Sequence, residues 1–343
     1  MQNFSLLQTL KSANTILIVC HQRPDGDCLG AGLALYFLAE HINKNIDIVT
    51  DSEIPTHYNF MEGISFVNNQ KHKRNAQVPS SKIVDSDNTS TGCHSKRYDL
   101  CFFIDCADSG RAGKFSDYAK SHLSVNIDHH KSNDYFAKHN IVIPTASSTC
   151  EVMYDLMEQD GIFKNASHEL HKKIANSLLT GLSTDTGHFM HSSVNAKVMQ
   201  TVANLTALGG DIHEISNHLY RTKPKEKIAL LGYALSNLKF YNDDTIAILS
   251  LSLTDFEKFS SSPLSTEGFI DYPLSISSVL VAITITQAEG EVYKISFRSK
   301  GTDVSVIAST FGGGGHIRAS GCQIKGVYDE VLDRVLSTIR KFI

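Results

Sequence analysis

No Cys-x-x-Cys pair occurs among the seven cysteines, which are odd in number and scattered along the chain. That pattern suits reduced thiols in a cytosol better than a disulfide framework. No stretch approaches the length of apolar sequence needed to span a bilayer, so a membrane partner is not expected. The opening Met-Gln-Asn-Phe-Ser lacks the charged and apolar segments of a signal peptide, and a cytoplasmic protein is predicted. An excess of either charge is also missing: the net charge of -4 argues against gripping long duplex DNA by charge alone, while leaving room for a local basic pocket. What is present is apolar sequence, 41% of 343 residues. This is more than one core usually organises, and two domains are expected.

The first domain reads as an α/β fold. Thr15 to Cys20 is a continuous apolar run of the kind found in strands covered on both faces. It empties into His21-Gln-Arg-Pro24-Asp25-Gly26-Asp27, where Pro24 and Gly26 bend the chain so that His21, Asp25 and Asp27 can converge on one point. A helix follows, with Leu29, Leu33 and Phe37 at helical spacing. One imidazole and two carboxylates on a tight loop make a hard-metal half-site; an aspartate capping the helix is the plainer alternative.

The pattern repeats downstream. Ile46 to Val49 is a second strand, and Asp99 to Ile104 is a third, ending at Asp105. Val125 to Ile127 leads into Asp128-His129-His130. Open α/β sheets place ligands at the carboxyl edge of their strands, and these polar triads fall there. Asp-His-His alone would equally suit a surface turn or a satisfied hydrogen-bond cluster. Ile141 to Ile143 is a further short strand, and a helix from about Ser167 to Leu182 runs into Asp185-Thr186-Gly187. From Asn68 to Arg97 the chain is polar, with Lys71 to Arg74 basic, and reads as a surface insertion too poor in apolar residues to order itself. Its basic run is either a solvated patch or a contact for a polyanion, and Cys93 and His94 are too isolated to be ligands.

Charged residues 221–232 are expected to be a linker and the start of a connecting helix, dividing a domain of 1–220 from one of 233–343. The second domain reads as smaller and mixed α/β. Strands are predicted at Thr245 to Leu251, Val279 to Thr286 and Val292 to Arg298, with helices near Val304 to Thr310 and Tyr328 to Lys341. Gly312-Gly313-Gly314-Gly315-His316 lies between the helices. Four glycines free the backbone to point successive N–H groups at an anion, and His316 can donate to a phosphate oxygen. Arg298 with Ser299 beside it offers a forked phosphate contact.

Taken in order, His21-x-x-Pro-Asp25-Gly-Asp27, Asp105, Asp128-His129-His130, Asp185-Thr-Gly and Gly-Gly-Gly-Gly-His316 resemble the motifs of the DHH phosphoesterases and their C-terminal DHH-associated domain. Within that family the chain is most similar in type to bacterial nanoRNases, which degrade very short oligoribonucleotides and dephosphorylate 3′-phosphoadenosine 5′-phosphate (pAp). The resemblance implies a parallel-sheet catalytic domain, a mixed substrate-binding domain and an active site in the cleft between them. It implies two divalent ions, manganese by expectation: one on His21, Asp25 and Asp105, the other on Asp27, Asp105, His129 and Asp185. Asp105 would bridge them, and a bridging hydroxide would attack phosphorus. Asp128 would orient a ligand imidazole and His130 would lie near the reacting phosphate. Arg298, Ser299, Gly313, Gly314, Gly315 and His316 would hold a substrate phosphate; Arg111 serves either substrate or a structural ion pair. Short single-stranded oligonucleotides and nucleotide phosphates are the implied partners, with a homodimer left open. A manganese pyrophosphatase and a non-catalytic nucleotide-binding module are the competing readings. Ala31 and Ser320 stand where relatives often carry serine and alanine, small exchanges that leave the metal pattern intact.

Overall fold

The computed structural model describes residues 4–68, 98–120 and 123–343. The predicted insertion from 69 onward, with its basic run, Cys93 and His94, lies outside the described residues. The chain divides into two compact units, Met1–Thr222 and Lys223–Ile343. Among the described residues no helix is long and apolar enough to cross a membrane.

The first unit is built on five parallel strands: β1 (Thr15–Cys20), β2 (Asn45–Thr50), β3 (Leu100–Ile104), β4 (Ser124–Asp128) and β5 (His139–Val142). Their order is β2-β1-β3-β4-β5. Parallel neighbours need crossovers that cover both faces, which is why β1 and β3 are almost wholly apolar and why even the polar Ser124, Asn126 and Asp128 of β4 are buried. Ile16, Ile18 and Cys20 face one core and Leu17 and Val19 the other. The helices of this unit are α1 (Leu6–Lys11), α2 (Gly26–His41), α3 (Thr149–Gln159), α4 (Ile162–Asn165), α5 (His168–Asp185), α6 (Ala196–Ala207) and α7 (Ile212–Ser216).

Helix α2 is buried on every side from Gly26 to Ala39, as expected of a helix apolar all round. It packs against α5 through glycines. A Cβ on Gly181 would stand 2.8 Å from the Cα of Asp27, and one on Gly30 would collide with the Ser177 carbonyl oxygen of α5. The strand order reverses between β1 and β3, since the chain leaves β1 for β2 on one side and resumes at β3 on the other. Such a switch point opens a crevice at the carboxyl ends of the two strands.

The second unit carries helices α8 (Lys225–Ser236), α9 (Leu253–Lys258), α10 (Asp271–Ser275), α11 (Val304–Ser309) and α12 (Tyr328–Ile339). Its six strands are β6 (Lys239–Tyr241), β7 (Ile246–Leu251), β8 (Val281–Glu289), β9 (Val292–Ser299), β10 (Gly314–His316) and β11 (Ala319–Lys325). They form a mixed sheet in the order β10-β11-β9-β8-β7-β6, with only β7 and β8 parallel. Ile246, Ile283, Ile295 and Phe297 pack with Val304 and Ile307 of α11 and Val331 and Val335 of α12.

Candidate metal centre

Each strand of the central crevice delivers a group that can bind a cation. His21 follows β1 and Asp105 follows β3. Asp128 ends β4, and His129 and His130 come directly after it. Asp105 has a backbone φ of 58°, the left-handed region that few residues other than glycine, asparagine and aspartate enter. It is held there because its N–H donates to Ile127 O at 3.0 Å while its carboxylate accepts from the Thr149 hydroxyl at 2.8 Å. Backbone strain of this kind persists where surrounding structure over-determines it, and it clusters at functional sites.

The side chains form three interlocking triads: His21, Asp25 and Asp105; Asp27, His129 and Asp185; and Asp105, His129 and His130. Within each, one donor atom per residue lies within 4.8 Å of the others. His21 Nε2 is 3.3 Å from Asp105 Oδ2 and 3.7 Å from Asp25 Oδ1. His129 Nε2 is 3.8 Å from Asp105 Oδ1 and 3.4 Å from Asp185 Oδ2. The loop after β1 therefore does not bring His21, Asp25 and Asp27 to one point. Asp25 is the N-cap of α2, accepting from Asp27 N–H at 3.1 Å and Cys28 N–H at 3.0 Å. That cap starts the helix and turns Asp27 toward the second triad. Asp25 thus caps the helix and also joins a triad, so the two sequence alternatives for it coexist.

Asp27 is buried, and both its oxygens accept backbone N–H groups from the start of α3: Thr149 at 2.6 Å and Cys150 at 2.8 Å. Asp128 is fully buried. Its Oδ1 accepts from His130 Nδ1 at 2.7 Å and from the His129 N–H at 2.8 Å. Its Oδ2 accepts from Asn133 Nδ2 at 2.6 Å. The imidazole that Asp128 orients is thus His130; the His129 Nδ1 instead lies 3.4 Å from Ala146 O. Arg111 Nη1 lies 3.5 Å from His130 Nε2, and Arg111 O accepts from Gln22 N–H at 2.7 Å.

The electrostatics ask for cations. Burial, and then the charges of Asp105 and Asp25, push Asp27 up to about 7. Burial and the neighbouring Asp27 push Asp185 up to about 8. Burial opposes a proton on His129, but Asp27, Asp185 and Asp105 outweigh it and raise the imidazole to about 9. Carboxylates crowded this closely favour either bound protons or a metal. Buried His21 Nε2 makes no hydrogen bond, with Asp105 Oδ2 at 3.3 Å and Asp25 Oδ1 at 3.7 Å, and an orphaned polar atom between two carboxyl groups is what a bound cation would satisfy. Imidazole and carboxylate donors without thiolate suit a hard or borderline divalent ion, so the residues fit the metals implied by the motifs.

The second unit holds Arg298, Ser299 and the glycine run, and here local structure differs from expectation. The glycines do not form an open nest of N–H groups. Gly312 and Gly313 donate to Ser309 O and Ala308 O, each at 3.0 Å, closing the carboxyl end of α11. Gly314, Gly315 and His316 pair with β11 as an exposed hairpin strand. The Ser299 hydroxyl donates to Thr302 O, so it braces its own turn. Arg298 is partly buried, with Nη1 donating to Phe297 O at 3.0 Å.

Thr149 was given no role by the sequence reading, although it contacts carboxylates of two triads. A threonine opening a helix after Ser148 reads as part of a cap, and Ser148 does cap α3 through Glu151 N–H at 3.0 Å. The partner of the Thr149 hydroxyl, Asp105, is distant in sequence and leaves no local signal.

A model of the DHH family N-terminal domain matches residues 15–182, and one of the DHHA1 domain matches residues 243–343. The chain is 25% identical over 328 residues to the bifunctional oligoribonuclease and PAP phosphatase of Thermus thermophilus, covering 95% of this chain and 89% of that protein. The Bacillus subtilis protein of the same description is 25% identical over 338 residues, covering 97% and 96%. Among solved structures, an exopolyphosphatase-related protein from Bacteroides fragilis matches with a TM-score of 0.84 at 28% identity, over 98% of this chain and 94% of that one. With the strand-end aspartates and histidines gathered into one centre and both domain models matched in order, the chain belongs to the DHH family and carries a DHHA1 domain.

Proposed function

We propose that the protein uses manganese to hydrolyse short oligoribonucleotides to nucleoside 5′-monophosphates and to remove phosphate from pAp. As a DHH-family member with oligoribonuclease and PAP phosphatase relatives, it is a hydrolase acting on phosphoester bonds. The observation that carries the finer reading is the sharing of Asp105 between the triad of His21 and Asp25 and that of His129 and His130. In this reading His21, Asp25 and Asp105 hold one ion, and Asp27, Asp105, His129 and Asp185 hold the other. Divalent ions in such a centre supply Lewis acidity toward phosphoryl oxygens and make water a nucleophile near neutral pH.

The remaining groups handle charge and protons. Asp128 fixes the His130 tautomer with the proton on Nδ1, leaving Nε2 as the atom that can exchange a proton with a substrate oxygen. Arg111, next to Nε2, places a guanidinium where phosphoryl charge would grow. From the second unit we assign Arg298, Gly314, Gly315 and His316 to a substrate phosphate, with Gly313 and Ser299 shaping the turns that present them.

The test is turnover by purified, chelator-treated protein resupplied with manganese, on a dinucleotide RNA, a long RNA, pAp and pyrophosphate. Fast release of mononucleotide from the dinucleotide, slow attack on the long strand and phosphate release from pAp are expected. Cleavage of pyrophosphate alone would overturn the substrate assignment. Equal rates with and without metal would overturn the assignment of the triads.

A further inference from the structure

We infer that Thr149 is a positioning residue that sets the spacing of the two metal sites, by holding Asp27 and Asp105 from the first turn of α3. This rests on the metal reading above. The two carboxyl groups reach the centre from unrelated elements, the start of α2 and the end of β3. Thr149 hydrogen-bonds to both, and Cys150 adds a second bond to Asp27. The Thr149 N–H takes Asp27 Oδ2 at 2.6 Å, the Cys150 N–H takes Asp27 Oδ1 at 2.8 Å, and the Thr149 hydroxyl takes Asp105 Oδ1 at 2.8 Å. All of these groups are buried, so the bonds are not exchanged with water.

The amino end of α3 is suited to this task. Its Ser148 side chain already satisfies the Glu151 N–H, which leaves the N–H groups of the first two helical positions to point outward at an anion. Asp27 takes both. A threonine hydroxyl at a helix start ordinarily turns back on its own backbone; here it crosses to Asp105, whose left-handed φ of 58° leaves the carboxylate direction dependent on its neighbours. Asp27 uses one lone pair on each oxygen and Asp105 one on Oδ1 in these bonds, and the remaining lone pairs are left for a cation. Thr149 therefore fixes direction without occupying the ligand positions, as partners that orient metal ligands commonly do.

The experiment compares manganese binding by wild type, Thr149→Val and Thr149→Ser, using calorimetric titration of chelator-stripped protein, with thermal melts of each metal-free form. Valine keeps the shape and removes the hydroxyl; serine keeps the hydroxyl and removes the methyl. The expected result is a loss of about ten- to a hundredfold in manganese affinity for Thr149→Val, with Thr149→Ser close to wild type. If Thr149→Val does not fold, the smaller Thr149→Ala takes its place in the comparison. Equal affinity of the hydroxyl-free variant and wild type would overturn the inference, as would weakening in the serine variant alone, which would assign the effect to packing. A wild type that binds no manganese would instead overturn the metal reading itself, so the two failures are distinguishable.

Discussion

Asp105 combines two demands that few residue types satisfy together, a charged oxygen at the centre and a left-handed backbone. The variants Asp105→Asn and Asp105→Ala separate them. Asparagine tolerates this conformation, so Asp105→Asn is expected to keep the metal-free melting temperature while losing at least about a hundredfold in turnover. Alanine fits the same backbone less well, and Asp105→Ala should be less stable than Asp105→Asn by about 1–2 kcal/mol. Melting curves of the two stripped variants decide the point; identical stability would remove the argument from φ. At this scale the sequence was informative wherever a polar residue ended an apolar strand, as at His21, Asp105 and Asp128. It was silent where one side chain serves a partner remote in sequence, as at Thr149, and it gave no sign that the Ser299 hydroxyl bonds within its own turn.

Among the elements, the approach of α2 to α5 sets where Asp27 sits. Gly181 faces the Asp27 backbone, which cannot swing aside as a flexible side chain could. Gly181→Ala should destabilise the protein by about 1–3 kcal/mol through overpacking and weaken manganese binding with it. Gly232, inside α8 and with nothing within 4 Å of its Cβ position, is the contrast. Gly232→Ala should stabilise by roughly 0.5–1 kcal/mol, since glycine is a poor helix former. Thermal melts of the pair test both signs. β1 and β3 are readable because burial on both faces leaves continuous apolar runs, whereas β2, β4 and β5 carry polar residues among their apolar ones. β11 is not readable, because Ala-Ser-Gly-Cys-Gln-Ile-Lys has weak strand character; it is held by pairing with β9, with Ser320, Cys322 and Ile324 buried. The glycine run was read as free backbone because the strand it pairs with had not been recognised.

For the whole molecule, the concentration of carboxylates in the first unit makes stability depend on pH in opposite ways with and without metal. Asp27 and Asp185, pushed up to about 7 and about 8, bind protons more tightly in the folded chain than in the unfolded one. Rising pH strips those protons, so stability of the metal-free protein should fall from about pH 4, the ordinary carboxylate range, through about pH 8. His129, raised to about 9, acts in the same direction: its contribution is present below about pH 6.5 and is lost as pH rises through its folded value. Divalent ions compete with these protons, and their stabilisation should grow over the same interval. Melting temperatures in chelator and in manganese should diverge as pH increases; parallel curves would show that the triads do not exchange protons for metal.

The order of strands in the first sheet also bears on how the protein comes into being. The donor groups run from His21 to Asp185, and they meet only after β3 and β4 have joined β1 in register. Contacts so far apart along the chain form slowly, because long loops must close before parallel pairing can reward them. Capture of manganese should therefore be a late event in refolding, with a rate that does not increase with manganese concentration.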